Sequence, residues 1–153
     1  MSAILSTQNL VKKYGYKIVS NNISLTINKG DIYGFVGKNG AGKTTFIRQV
    51  LGLAFPDSGE ITLFGGEPLN TARKKIGSLI EFPSIYKNCT AYENMKRMAI
   101  LTGSSDKSVR KILDFVGLGN TGNKKAGRFS LGMRQRLGIA MALLGNPELL
   151  ILD

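Results

Sequence analysis

Apolar residues along this 153-residue chain come in short bursts with two different periods. The stretches 3–10, 16–27 and 59–64 are rich in Ile, Val, Leu and Thr and are bounded by Asn, Gly and Lys, which predicts β-strands. "DIYGFVG", residues 31–37, is a shorter apolar run that leads straight into a glycine-rich loop and predicts another strand. After the loop, "KTTFIRQVLGL" places Phe46, Ile47, Val50 and Leu51 at the spacing of a half-buried helix. "IGSLIEF" (76–82) reads as a buried strand, and Thr90–Leu101 and Asp106–Val116 as two helices. The run Ser130–Leu144 predicts a further helix with Met133, Leu137, Ala140, Met141 and Leu144 on one face, and "ELLILD" follows as a fully apolar strand. No internal repeat or low-complexity segment interrupts this alternation. Strands alternating with helices imply an α/β fold with a parallel sheet covered on both faces.

Composition narrows the chemistry more than the fold. The length suits one globular unit or a piece of one. With 42% hydrophobic and 20% charged residues, the chain has no apolar run near the roughly 20 residues needed to span a bilayer. The opening "MSAILSTQNLVKKYG" puts its basic residues after its apolar ones and has no signal-peptide core, so the expected compartment is the cytoplasm. Cys89 is the single cysteine and cannot form an internal disulfide. The absence of histidine excludes a Ser/His/Asp triad and a His-rich metal site. The net charge of +11 (21 basic minus 10 acidic residues) is scattered, with clusters only at Arg73–Lys75 and Lys124–Arg128. Aromatic residues are not interleaved with those clusters, so a solvated basic face is expected rather than a specific nucleic-acid surface.

The strongest chemical pattern is "GKNGAGKT". Gly37, Lys38, Asn39, Gly40, Ala41, Gly42, Lys43 and Thr44 match G-x-x-x-x-G-K-[ST] between a predicted strand and a predicted helix, and Thr45 continues the first turn. A loop that wraps phosphates must turn its N–H groups inward, which needs positive φ and close approach. Gly37, Gly40 and Gly42 permit both. Lys43 supplies a point charge to the β and γ phosphates, the helix aims its positive end at them, and Thr44 offers a hydroxyl to Mg²⁺. The pattern implies a nucleoside triphosphate but does not choose among kinases, GTPases, helicases and transport ATPases.

"FSLGMRQRLGIAMALLGNPELLILD" resembles the signature helix and Walker B strand of the ATP-binding cassette (ABC) family. Along the whole chain the family's landmarks follow in order: aromatic loop, Walker A, Q-loop, signature and Walker B. The resemblance implies a P-loop NTPase with a RecA-like parallel sheet core, an N-terminal antiparallel β part and a helical subdomain. About 1–82 and 146–153 would form the β and core part, and about 83–145 the helical part. ATP and Mg²⁺ are the implied cofactors.

Tyr14, in "KKYG", matches the aromatic that stacks on adenine in the family. Ser130 and Gly132 match the Ser and second Gly of the Leu-Ser-Gly-Gly-Gln pentapeptide, while Phe129, Leu131 and Met133 replace its other members. Ser130 also suits a helix N-cap on its own account. In the family it meets the ATP of a second subunit in a head-to-tail dimer. Glu81 stands where the family has a Gln that touches Mg²⁺ and the attacking water. A carboxylate there adds negative charge and predicts a stricter demand for Mg²⁺. This replacement, with a Ser-Leu-Gly-Met signature, is similar to the branch of bacitracin-type and lantibiotic-immunity exporters. Asp153 falls at the Walker B aspartate, which holds the metal shell at the carboxyl end of a strand.

The resemblance therefore implies Lys43, Glu81 and Asp153 as catalytic groups and Thr44, Glu81 and Asp153 as metal ligands. It implies two partners, a second nucleotide-binding subunit and integral membrane permease subunits docked along Glu81–Glu93 and the helices up to Val116. The expected location is the cytoplasmic side of the plasma membrane, held there through the permease. In the family a Glu, a D-loop and a switch His follow the position of Asp153. The expectation is a core incomplete at its C-terminus, with the 153 residues binding Mg-ATP and hydrolysing it poorly or not at all. Two other readings stay open: a cassette protein acting on nucleic acid or ribosomes, and a non-catalytic ATP-binding fragment.

Overall fold

In a computed structural model that describes residues 2–153, the chain opens with two long strands, β1 (Ala3–Tyr14) and β2 (Lys17–Asn28). They pair antiparallel across a two-residue turn at Gly15 and Tyr16. A third strand, β3 (Ser58–Leu63), joins the other edge of β1, giving the order β2-β1-β3. The long hairpin is not regular. Asn9 and Asn22 adopt φ of 47° and 48°, a conformation Asn tolerates better than most residues, and the register shifts between Thr7 and Leu10. Ser24 Oγ accepts from the Asn9 N–H at 2.8 Å and keeps the irregularity satisfied.

Helix α1 (Lys43–Val50) buries Phe46, Ile47, Gln49 and Val50, as its apolar spacing predicts for three of the four. The fourth, Gln49, is fully buried and donates from Nε2 to Ser20 Oγ of β2 at 2.9 Å, which ties the helix to the hairpin. After β3, the short α2 (Leu69–Ala72) leads to Arg73, whose Nε donates to the Val50 carbonyl at 3.1 Å and so satisfies an orphan acceptor at the end of α1. These elements form one compact unit ending at Lys74.

The strand expected over 31–37 is absent. Residues 31–36 have no regular secondary structure, with Ile32 and Val36 exposed. The three strands of its unit pair only with one another, and the segment joins none of them. A strand without a neighbour has no hydrogen bonds to hold it. What fixes the segment is aromatic packing: Phe35 stacks on Phe46 with centroids 4.9 Å apart.

The second unit runs from Lys75 to Asp153. Strand β4 (Ile76–Leu79) pairs in parallel with β5 (Leu149–Leu152), from Ile76↔Leu149 to Leu79↔Leu152. Between them come α3 (Ala91–Thr102), α4 (Asp106–Phe115) and α5 (Leu131–Leu143). Side-chain caps start all three helices: Thr90 in a full capping box with Glu93, then Ser105, then Ser130. Met95, Val109, Leu113, Leu118 and Leu137 are almost wholly buried and make the centre of this unit's core. On the predicted face of α5, Leu137, Ala140 and Leu144 are buried, while Met133 and Met141 pack half-buried at the edge. Among the described residues no helix is long and apolar enough to cross a membrane.

At the start of α4, Asp106 gathers three donors: the Tyr92 hydroxyl, Arg110 Nε at 2.9 Å and Lys96 Nζ at 3.2 Å. The Tyr92 hydrogen bond first, then the two cations, hold its carboxyl down at about 2. The folded value lies below the ordinary 3.8, so the stabilisation is present above that pH and is lost as pH falls through about 2. Asp106→Asn is expected to flatten the acid side of the unfolding profile in that window and to lower stability at neutral pH. Circular-dichroism melts at a series of pH values measure this, and an unchanged acid limb would contradict the assignment.

Candidate functional site

The glycine-rich loop is shaped by backbone conformation. Gly40 and Gly42 take φ of 78° and 91°, where a side chain would be strained, and Gly42 is the N-cap of α1. A Cβ on Gly42 would lie 1.9 Å from the Val19 carbonyl oxygen of β2, so glycine is required there for space as well as conformation. Gly37 departs from the expectation. Its φ is not positive, and an added Cβ would make ordinary contact with Ala41 at 3.5 Å. The left-handed turns of the loop therefore lie at its second and third glycines, where the chain reverses into the helix.

Lys43 is the first residue of α1, and its side chain folds back across the loop. Its Nζ donates to the carbonyls of Gly37 at 2.7 Å and Lys38 at 3.0 Å. Two backbone bonds complete the frame: Ala41 N–H to Lys38 O at 3.1 Å and Phe46 N–H to Gly42 O at 2.9 Å. The result is a cationic centre held by six residues of loop, at a helix N-terminus that lacks an acidic side chain in its first turn. That combination suits an anion with several oxygens, and Thr44 and Thr45 place hydroxyls in the same half-buried turn. Lys38, Asn39 and Ala41 are exposed and contribute chiefly backbone.

Tyr14 ends β1 opposite Lys17, on the same hairpin whose Val19 carbonyl touches Gly42. The hairpin thus carries the ring to the loop's neighbourhood. The ring is about half exposed, with Lys12 Nζ 5.3 Å from its centroid, and so keeps area for stacking.

In the second unit, strand pairing puts Glu81 and Asp153 at the same end of the sheet. Both follow the carboxyl ends of neighbouring parallel strands, and the Asp153 N–H continues the ladder by donating to Leu79 O at 2.9 Å. The strand expected over 76–82 stops at Leu79, and Glu81 takes φ of 55°. A left-handed Glu is uncommon, and here it turns the chain out of the sheet. Both carboxylates are exposed. Among the described residues no group of three or more His, Cys, Asp or Glu side chains gathers to form an all-protein metal cage. A pair of carboxylates matches the way Mg²⁺ is usually held, through one or two acids and the phosphates of a nucleotide.

Ser130 caps α5, its Oγ accepting from the Met133 N–H at 3.2 Å. Gly132, in the first turn, has nothing within 4 Å of the position of a Cβ, so no contact inside the chain demands glycine. Arg134 Nη1 donates to the Phe129 carbonyl at 2.8 Å and fixes the entry to the helix. The loop with Tyr14 belongs to the first unit, and Glu81, Asp153, Ser130 and Gly132 belong to the second.

Sequence reasoning missed Asn94 and Val19. Asn94 is 1% exposed, donates from Nδ2 to Tyr86 O and Thr90 O, and accepts the Tyr86 N–H at 2.8 Å, so it holds the loop that follows Glu81. No sequence pattern marks an Asn as buried, and a carbonyl such as that of Val19 carries no side-chain identity at all.

Residues 20–153 match the ABC transporter family. The chain belongs to that family. It is 49% identical to the bacitracin transport ATP-binding protein BcrA of Enterococcus faecalis over all of this chain and 51% of the relative. It is 45% identical to the lantibiotic transport ATP-binding protein SrtF of Streptococcus pyogenes over 98% of this chain and 66% of the relative. The chain thus spans about half to two-thirds of the length of the curated relatives it matches. Among solved structures, the dimeric ATP-binding cassette MJ0796 bound to ADP and Pi superposes with a TM-score of 0.83 at 25% identity, over 97% of this chain and 73% of that one. These similarities bear out the expected P-loop cassette fold and the bacitracin and lantibiotic branch.

Proposed function

We propose that this chain carries the ATP-binding part of a subunit that hydrolyses ATP to energise membrane export of drugs or peptide antibiotics. The observation that carries the reading is Lys43, drawn over its own loop by the Gly37 and Lys38 carbonyls within a complete G-x-x-x-x-G-K-T. Bound Mg-ATP supplies the labile phosphoryl group and the metal charge that polarises it. Lys43 neutralises the β and γ oxygens, the N–H groups of the 37–45 loop wrap them, and Tyr14 stacks on the base. The Thr44 hydroxyl and the Glu81 and Asp153 carboxylates are oxygen ligands of the kind Mg²⁺ takes. Ser130 and Gly132 serve the nucleotide of a second copy in a head-to-tail dimer. The open space at Gly132 supports this, because glycine there leaves room for an outside group. Residues of about 83–145 form the helical subdomain, and Glu81–Glu93 with the helices up to Val116 dock the permease on the cytoplasmic face of the membrane. The 153 residues alone bind Mg-ATP and hydrolyse it poorly or not at all.

The relatives named for bacitracin and lantibiotic transport support the choice of cargo class. The test is resistance. The gene and that of its permease, placed together in a sensitive host, should raise the inhibitory concentration of bacitracin or of a lantibiotic, and Asp153→Asn should abolish the gain. No gain for either class of antibiotic, with both proteins made and membrane-associated, would remove the export reading.

A further inference from the structure

The hairpin that carries Tyr14 is irregular just before its turn. Lys12 faces Ser20, but the next residue, Lys13, faces Ile18 and Tyr14 faces Lys17, so Val19 is the extra residue of a β-bulge. The Val19 carbonyl is the group that meets the position of a Cβ on Gly42. Ser20, beside the bulge, is 1% exposed and accepts from Nε2 of the fully buried Gln49 at 2.9 Å, while the same Nε2 reaches the Thr45 carbonyl at 3.4 Å. Gln49 is the one polar residue among the four that α1 buries. Its Oε1 has no hydrogen-bond partner among the described residues. A buried amide left half satisfied costs stability, and an apolar side chain of similar shape avoids that cost, so core packing alone does not account for glutamine here.

We propose that Gln49 is a positioning residue for nucleotide binding: through Ser20 it pins the Val19 bulge against the phosphate loop and so fixes where Tyr14 stands relative to Lys43. The role rests on the proposed reading of Lys43 as the phosphate contact and Tyr14 as the base contact. A bulge bends its strand and sharpens the local twist, so its position sets the direction in which the last pairs of the hairpin, and the Tyr14 ring, are carried. A ladder with one residue too many can settle with that residue at more than one place. The hydrogen bond from α1 to Ser20 selects one of them, and α1 begins at the loop itself. Gln49 is fully buried and touches neither phosphate nor base, so its effect falls on the separation between the two contacts. It therefore matters for a ligand that uses both and not for one that uses the loop alone.

The test is titration calorimetry of the 153-residue chain with Mg-ATP and with Mg-tripolyphosphate, which offers the loop its phosphates without a base. The double variant Gln49→Met/Ser20→Ala removes donor and acceptor together and leaves no new orphan, so its melting temperature should stay within about 4 °C of the parent. It should weaken Mg-ATP binding about fivefold or more, within the factor that a stacked base supplies, and change tripolyphosphate binding less than roughly twofold. In a Tyr14→Ala background the same pair of substitutions should cost no further ATP affinity, because the ring through which they act is gone. Equal loss for the two ligands, no loss for either, or a full additional loss beside Tyr14→Ala would make Gln49 a packing residue and overturn the proposal. Should the double variant fail to fold, Ser20→Ala alone carries the same comparison, with part of the same selective loss expected. An unchanged Mg-ATP affinity in Tyr14→Ala by itself would remove the stacking reading and this proposal with it. A selective loss there, with none from the double variant, would overturn this proposal alone.

Discussion

Lys43→Ala is expected to weaken Mg-ATP binding by about 10- to 100-fold while leaving the fold intact. A hydrogen bond to a charged group contributes about 1.5–3 kcal/mol, and each 1.4 kcal/mol is tenfold in affinity. Lys43 does more than attract phosphate, because it draws together the carbonyls of Gly37 and Lys38 at 2.7 and 3.0 Å. Its removal therefore loosens the loop as well as discharging it. Lys43→Arg is expected to restore little, since a broad planar guanidinium does not reproduce a compact ammonium between two carbonyls. Titration calorimetry with Mg-ATP reads both variants. An affinity unchanged by Lys43→Ala, with a native circular-dichroism spectrum, would sink the assignment of the loop to nucleotide binding.

Gly42→Ala should have the larger structural effect and should also abolish nucleotide binding. The new methyl would lie 1.9 Å from the Val19 carbonyl oxygen, on a residue with φ of 91°. Inserted atoms in a packed site cost about 1–3 kcal/mol, and a left-handed non-glycine residue costs roughly 1–2 kcal/mol. For a protein of this size that corresponds to a melting temperature lower by at least about 4 °C. Gly40→Ala is the internal control. Its φ is also positive, at 78°, but nothing lies within 4 Å of the new atom, so it carries the conformational cost without the collision. Differential scanning fluorimetry on the two variants separates the contributions. Equal destabilisation by the two would show that the hairpin does not press on the loop.

Much of this site was legible in the residues themselves. The loop's chemistry depends on a contiguous motif whose bonds run between residues five or six apart, such as Lys43 to Lys38 and Gly37, and local geometry of that kind is written in local sequence. The caps at Thr90, Ser105 and Ser130 are local in the same sense, and the helices begin where those side chains reach their own first turns. The strand predicted over 31–37 failed for the complementary reason. Its apolar run is a fair strand pattern, but a strand forms only beside a partner, and none of the three strands of its unit pairs with it. Asn94 was invisible because its four contacts depend on how the loop at 86–90 folds over α3.

By itself, the sequence determined the phosphate-binding motif, the order of helices and most strands, the faces that α1 and α5 bury, and the family. These depend on residue type at short spacing, where side-chain period and cap chemistry act directly. Only the tertiary structure decided that Val19 makes glycine obligatory at position 42, and that Glu81 leaves its strand in a left-handed turn. It also placed Asp153 beside Leu79 through parallel pairing and tied Gln49 of α1 to Ser20 of β2. Each of these joins residues distant in the chain or reflects a backbone conformation that no side-chain pattern announces, and such contacts exist only once the elements have packed.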